Sequence, residues 1–229
     1  MPANTWGFRA VLFDLDGTLV DSYWAIACSV NHVRSLHGLP PLSEPEVRRH
    51  VGFGARHLLH HTVPGGTADE DLGAYLAHHP PVALEHTTLL PGAAEVLGQL
   101  SAAGLQLGVC SNKPLAFSRA LVNHLGIAAT LQVVLGPEEV ANPKPAPDML
   151  ELAMQLLKVE PAQTLYVGDM VVDINTARAV SGGGIQVWVV PTGCDPPDRL
   201  RAARPDRLLQ DLLELGTLLQ GQKESGGGE

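Results

Sequence analysis

Cysteine is scarce in this chain. The 229 residues hold three, Cys28, Cys110 and Cys194, widely separated and without a Cys-x-x-Cys pair. Such a set supports neither a disulfide framework nor a zinc knuckle, and it fits a reducing compartment, so a cytoplasmic protein is expected. Charge is thin too, at 17% of residues, and lysine especially, with only Lys113, Lys144, Lys158 and Lys223. A net charge of -9 and no basic stripe argue against nucleic acid as a partner, because that affinity comes from neutralising phosphates. No apolar run approaches the roughly 20 residues of a membrane span, and the amino end lacks the basic-then-apolar profile of a signal peptide. Low-complexity sequence is missing until residues 221–229, which read as a disordered tail. What remains is a chain 45% hydrophobic, long enough for a substantial core and suited to a small-molecule substrate, as monomer or homodimer.

From Leu90 onward short apolar runs alternate with helical patterns. Leu105 to Cys110, Leu131 to Leu135, Thr164 to Val167 and Ile185 to Val190 read as strands; Ala93 to Ala103, Leu115 to Leu125, Asp148 to Leu157 and Ile174 to Ser181 read as helices. The alternation predicts right-handed crossovers and an α/β, Rossmann-like parallel sheet, to which Ala10 to Phe13 adds a strand. Residues 1–18 and 90–220 are therefore assigned to one catalytic core. Between Leu19 and Leu89 the periodicity is helical throughout, with no convincing strand and with breaks at Gly38 to Pro41, Pro64 to Gly66 and Pro80-Pro81. Residues 19–89 read as an inserted helical bundle, a cap beside the sheet's mouth. Nine of the ten histidines lie in this insertion. His57 and His61 share one helical face, but without a His-Glu-x-x-His pattern or an evident carboxylate partner, surface histidines are expected rather than a metal site.

The chemistry points to strand ends. In Ala10-Val11-Leu12-Phe13-Asp14-Leu15-Asp16-Gly17-Thr18 two carboxylates leave an apolar strand and enter a glycine turn, where ligands of open α/β sheets bind. Ser111-Asn112-Lys113 follows a second strand and Gly168-Asp169, with Asp173, a third, while Lys144 is held between prolines in Asn142-Pro143-Lys144-Pro145-Ala146-Pro147. Taken singly, each group reads equally well as a solvated turn, a helix cap or a rigid loop. Together they form one mouth. Several carboxylates there repel one another and call for a cation, and hard oxygen donors suit Mg²⁺. A phosphoryl group at Asp14 needs positive charge and donors as well, which Lys144, Ser111, Thr18 and the turn amides supply. One Asp can attack phosphorus while its neighbour two residues on protonates the leaving oxygen and later activates water.

On these residues the chain resembles the haloacid dehalogenase superfamily, specifically its phosphatases with a helical cap of the C1 type inserted after the first strand. Asp14-Leu15-Asp16-Gly17-Thr18 matches the first motif, Ser111 the second, Lys144 the third and Gly168-Asp169-x-x-x-Asp173 the fourth. The resemblance implies an aspartyl-phosphate on Asp14, acid/base work by Asp16, and a phosphoryl group held by Thr18, Ser111, Asn112 and Lys144. It implies Mg²⁺ bound by Asp14, the backbone carbonyl of Asp16, and Asp169, with Asp173 a ligand through water or a partner of Lys144. Asp16 speaks against a dehalogenase, which needs no proton for a halide. A cap without lysine speaks against a phosphonate hydrolase. Within the superfamily, Phe13 to Ser22, Leu36 to Ser43, Val51-Gly52-Phe53-Gly54-Ala55 and Ser111-Asn112-Lys113-Pro114 look most like the bacterial phosphoglycolate phosphatases. The chain departs from them at Phe53, where related sequences often carry Asn. The expected activity is Mg²⁺-dependent hydrolysis of a small phosphate ester, 2-phosphoglycolate first, with Phe53 and Arg56 setting specificity and Arg56 pairing with the substrate's carboxylate. The alternatives are a phosphatase for a sugar phosphate or nucleotide, a sugar phosphomutase, and a catalytically silent binding module.

Overall fold

The structure, a computed structural model, describes residues 7–220; the expected tail at 221–229 lies outside them. In chain order the elements are β1 (Ala10–Phe13), β2 (Val20–Asp21), α1 (Tyr23–Leu36), α2 (Glu44–Arg48), α3 (Ala55–Thr62), α4 (Ala68–His86), β3 (Thr88–Leu89), α5 (Ala93–Ala102) and β4 (Gln106–Cys110). They continue with α6 (Leu115–His124), β5 (Val133–Leu135), α7 (Asp148–Leu157), β6 (Thr164–Gly168), α8 (Val171–Ala179), β7 (Gln186–Val189), α9 (Pro197–Ala202), β8 (Arg207–Leu208) and α10 (Leu212–Gln220). Six strands make one parallel sheet in the order β5-β4-β1-β6-β7-β8.

β1 lies near the middle because nothing in it tolerates water. Successive side chains point to opposite faces of a strand, so an all-apolar strand needs cover on both. Ala10 and Leu12 enter a layer with Tyr166, Met149, Ile174 and Leu200, whereas Val11 and Phe13 enter the other with Leu107, Leu97, Leu121 and Leu215. Helices α7, α8 and α9 thus cover one face, and α5, α6 and α10 the other. Leu12 and Phe13 are fully buried, each contributing about 1.5–3 kcal/mol of transfer free energy. In register, Leu12 stands opposite Gly108 of β4 and Tyr166 of β6, which brings the carboxyl ends of three strands level with one another.

Helices α1 to α4 share a third apolar cluster built on Ile26, Val30, Val33, Val47, Leu58, Leu59 and Tyr75. Two details differ from the sequence reading. First, α4 runs unbroken through Pro80 and Pro81 instead of ending there. Two missing N–H donors weaken a helix, but His79 is wholly buried against Tyr75, Phe117 and Ser29, and Ala83 is buried a turn further on. Packing on both sides of the prolines outweighs the local preference. Second, the segment contains strands: β2 and β3 pair antiparallel, Val20 opposite Leu89 and Asp21 opposite Thr88. Two-residue strands carry no readable period. The same shortness hid β8, and α9 and α10 also went unassigned.

Candidate active site

Asp14 continues β1 by one residue, its N–H donating to the Val167 carbonyl at 2.9 Å. Ser111, Asn112 and Lys113 follow β4, Asp169 follows β6, and Asp173 lies in the first turn of α8. The turn after Asp16 requires glycine: Gly17 has φ +84°, and a Cβ there would collide with the Tyr23 hydroxyl and the Asp169 carboxylate.

Lys144 is the hub, its ammonium 3.0 Å from Asp14 Oδ1, 2.8 Å from Asp173 Oδ1 and 3.0 Å from Tyr166 Oη. Asp173 is fully engaged, because its Oδ2 accepts the N–H groups of Asp169 and Met170 at 3.2 and 3.0 Å. Asp169 Oδ1 accepts the Thr18 hydroxyl at 2.7 Å. Asp16 accepts Ser22 Oγ at 2.5 Å and Lys113 Nζ at 3.1 Å. The sequence reading placed Lys113 at the mouth without giving it a role, and it passed over Tyr166. A hydroxyl inside an otherwise apolar buried strand needs a partner, and that was the available signal for Tyr166.

Two expected phosphate ligands have other occupations. Asn112 donates through Nδ2 to the carbonyls of Lys144 and Gly52, at 2.9 and 3.0 Å, and accepts the Lys144 N–H at 3.0 Å. It ties the proline loop to the helical insertion. Thr18 spends its hydroxyl on Asp169. A second tie comes from Arg48, which donates to the carbonyls of Thr192 and Gly193 at 2.6 and 3.1 Å while lying 3.9 Å over the Tyr23 ring.

A cavity of about 40 Å³ opens on Asp14 and Asp16, with Ser111, Lys113, Leu58 and Tyr75 among its walls. Phe53 and Arg56 line a different, apolar cavity of about 320 Å³ beside it. The Arg56 side chain is 61% exposed and pairs with exposed Asp69 at 2.8 Å, so it is not brought together with the acids.

Electrostatics single out the acids. Burial pushes Asp14 up to about 6, against the pull of Lys144 and with a further push from Asp173. Burial, then Asp173 and Asp14, holds Asp169 well above the ordinary carboxylate range. For Lys144, burial alone would lower the ammonium, but Asp14 and Asp173 overcome it and raise it. Asp14, Asp169 and Asp173 bring one oxygen each within 4.8 Å of one another. Asp14 Oδ1, despite Lys144 nearby, has no aligned hydrogen-bond donor. Buried hard oxygens short of positive charge fit a divalent cation such as Mg²⁺.

One stability prediction arises here. A carboxyl raised from 3.8 to about 6 by folding favours the protonated folded state, so its contribution is complete below pH 3.8 and lost as pH rises through about 6. In chelator, the stability difference between wild type and Asp14→Asn should shift by up to about 3 kcal/mol against wild type from pH 4 to pH 7. Denaturant titrations at several pH values measure it, and a pH-independent difference counts against the assigned environment.

A family model described as haloacid dehalogenase-like hydrolase matches residues 11–190. Phosphoglycolate phosphatase of Rhodospirillum rubrum is 39% identical over 196 residues, 81% of this chain and 80% of that protein. The protein of the same name from Escherichia coli is 32% identical over 231 residues, 90% of each. The crystal structure of a predicted phosphoglycolate phosphatase from Haemophilus somnus has TM-score 0.84 at 26% identity, covering 93% of this chain and 99% of that one.

Proposed function

Since this chain belongs to the haloacid dehalogenase-like hydrolase family and is a phosphoric monoester hydrolase, we propose that it cleaves 2-phosphoglycolate through an aspartyl-phosphate on Asp14, with Mg²⁺ as cofactor. The observation that carries this reading is the convergence of Asp14, Asp16, Lys144 and Asp169 at the ends of adjacent strands, with the buried carboxylates of Asp14, Asp169 and Asp173 outnumbering the single ammonium of Lys144. The relatives' shared name supports the substrate.

Asp14 attacks phosphorus and the ester oxygen leaves with a proton from Asp16. Asp16 later takes a proton from the attacking water, and Lys113 Nζ contacts its Oδ1 at 3.1 Å; donation to the leaving oxygen requires that pair to part. Lys144 and the Ser111 hydroxyl carry the phosphoryl oxygens, and Asp173 with Tyr166 aims the Lys144 ammonium. Asn112 and Thr18 act as positioning residues, the first on Lys144 and the second on Asp169. When bound by Asp14, the Asp16 carbonyl and Asp169, Mg²⁺ supplies charge neutralisation to the phosphoryl group. Residues 1–18 and 90–220 form the catalytic core in this reading, and 19–89 the cap that closes over it.

Phosphate release from a panel of monoesters with Mg²⁺, covering 2-phosphoglycolate, small sugar phosphates and nucleoside monophosphates, tests the substrate. A higher kcat/KM for a sugar phosphate, or isomerisation without phosphate release, overturns it. Asp16→Asn should depress turnover by about 10²-fold or more on an ester with a poor leaving group, and activity within twofold of wild type rejects its role.

The substrate's carboxylate has two candidate cations. Lys113 lines the cavity at Asp14, whereas Arg56 faces the neighbouring one. Arg56→Ala should therefore leave kcat/KM for 2-phosphoglycolate within about twofold. A tenfold loss confined to that substrate, the size of a lost charge-assisted bond of about 1.5–3 kcal/mol, would restore the recognition role expected from the sequence.

A further inference from the structure

Three histidines of the insertion, unused by the reaction, come together on its surface. His50 follows α2, while His57 and His61 stand one turn apart on one face of α3. Each offers a ring nitrogen within 4.8 Å of the other two. The His61 ring lies 4.1 Å from that of His57 and 5.3 Å from that of His50, centroid to centroid. Sequence spacing showed His57 and His61 alone; His50 is delivered by the turn between the helices.

From this geometry we infer a second metal site, in which His50, His57 and His61 bind one late transition ion such as Zn²⁺ through three imidazoles, with solvent completing the shell.

The tautomer of His61 is already set. Its Nδ1 lies 2.8 Å from the His57 carbonyl, which only accepts, so Nδ1 is the donor in that contact and Nε2 is the nitrogen left to serve as ligand. A backbone partner on the far nitrogen is the usual support of a metal-binding histidine. His50 and His57 are half-buried and are pushed down in pKa, first by burial and then by their neighbours, His61 foremost. Arg49 and His60 are the nearby cationic or titratable neighbours, and no carboxylate belongs to the group. An all-nitrogen set suits Zn²⁺, Ni²⁺ or Cu²⁺ and rejects Mg²⁺, the reverse of the aspartate cluster. A tetrahedral ion with bonds of about 2.0–2.1 Å separates its ligand atoms by about 3.3 Å, a contraction that rotation of half-exposed rings can supply.

Such an ion would pin the end of α2 to α3 across Val51-Gly52-Phe53-Gly54. That loop contributes Val51, Gly52 and Gly54 to the cavity at Asp14, and its Gly52 carbonyl receives Asn112. The ion would act as a brace, outside the chemistry.

The test uses the full chain without a histidine tag, stripped of metal and then saturated with Mg²⁺ to occupy the aspartates. Zn²⁺ is titrated against a chromogenic chelator, and Co²⁺ is followed by visible absorption. One Zn²⁺ per chain and a tetrahedral Co²⁺ spectrum are expected. His57→Gln and His61→Gln should each weaken Zn²⁺ by about tenfold or more, and His60→Gln, on the same helix but outside the trio, by less than twofold. Absence of saturable Zn²⁺ binding, an octahedral Co²⁺ spectrum, or equal losses in His60→Gln and His57→Gln would overturn the site.

Discussion

Asp14→Asn should reduce turnover at least about 10⁴-fold, the scale expected when the attacking group itself is removed. The side chain keeps its shape, so the result isolates charge and nucleophilicity. Asn cannot attack phosphorus effectively, and it withdraws one negative charge from a pocket where three carboxylates, Asp14, Asp169 and Asp173, share the single ammonium of Lys144. The folded state should survive and, above about pH 6, gain stability in chelator, because the burial that raises Asp14 is relieved. Loss of activity with gain of stability is the diagnostic combination. Steady-state phosphate release beside a denaturant titration measures both. Appreciable turnover in the Asn variant, or full wild-type activity in excess EDTA, would remove the proposed mechanism.

The second large effect is on folding. Lys144 is almost wholly buried with its ammonium between Asp14 and Asp173. Removing one partner of a buried ion cluster leaves the others uncompensated, which costs about 3–5 kcal/mol. Lys144→Ala should therefore destabilise the protein by roughly that amount at neutral pH and also impair phosphoryl binding and rate. Lys158 supplies the control, being exposed at the end of α7. Its φ of +56° is a left-handed conformation, so Asn is a better replacement there than Ala. Lys158→Asn should change neither stability nor kcat/KM appreciably. If the two variants behave alike, the effect is one of overall charge, and Lys144 loses its place as hub.

Why some of this was legible in sequence and some not follows from where the information lies. β1, β4 and β6 are buried on both faces, so they leave unbroken apolar runs, and the polar residues ending those runs converge in space as their positions suggest. α7 was readable to its ends because its apolar stripe faces β1 and β4. Tertiary facts left no such trace. Lys113 meets Asp16 only because register levels the ends of β1 and β4, and Tyr166 meets Asp173 where the chain turns from β6 into α8. Thr18 and Asn112 were read by their donor groups, but neighbours distant in the chain claim those donors first. Pro80-Pro81 reads as a stop because local rules see two missing hydrogen bonds and not the packing of His79. Arg56 opens its helix as expected, yet Asp69 lies within reach on the solvent side.

The pairing of Val20 with Leu89 means that the chain departs for the helical insertion and comes back through the same rung of hydrogen bonds. To the sheet, everything between those residues amounts to a closed loop of almost no end-to-end span, and closing such a loop grows costlier only slowly with its length. Another helical unit with the same spacing between its ends fits that splice without disturbing the register of β1 against β4 and β6. The splice thus divides the chain into two parts: the strand ends with their acids and lysine, and a helical segment joined to the sheet through one antiparallel rung.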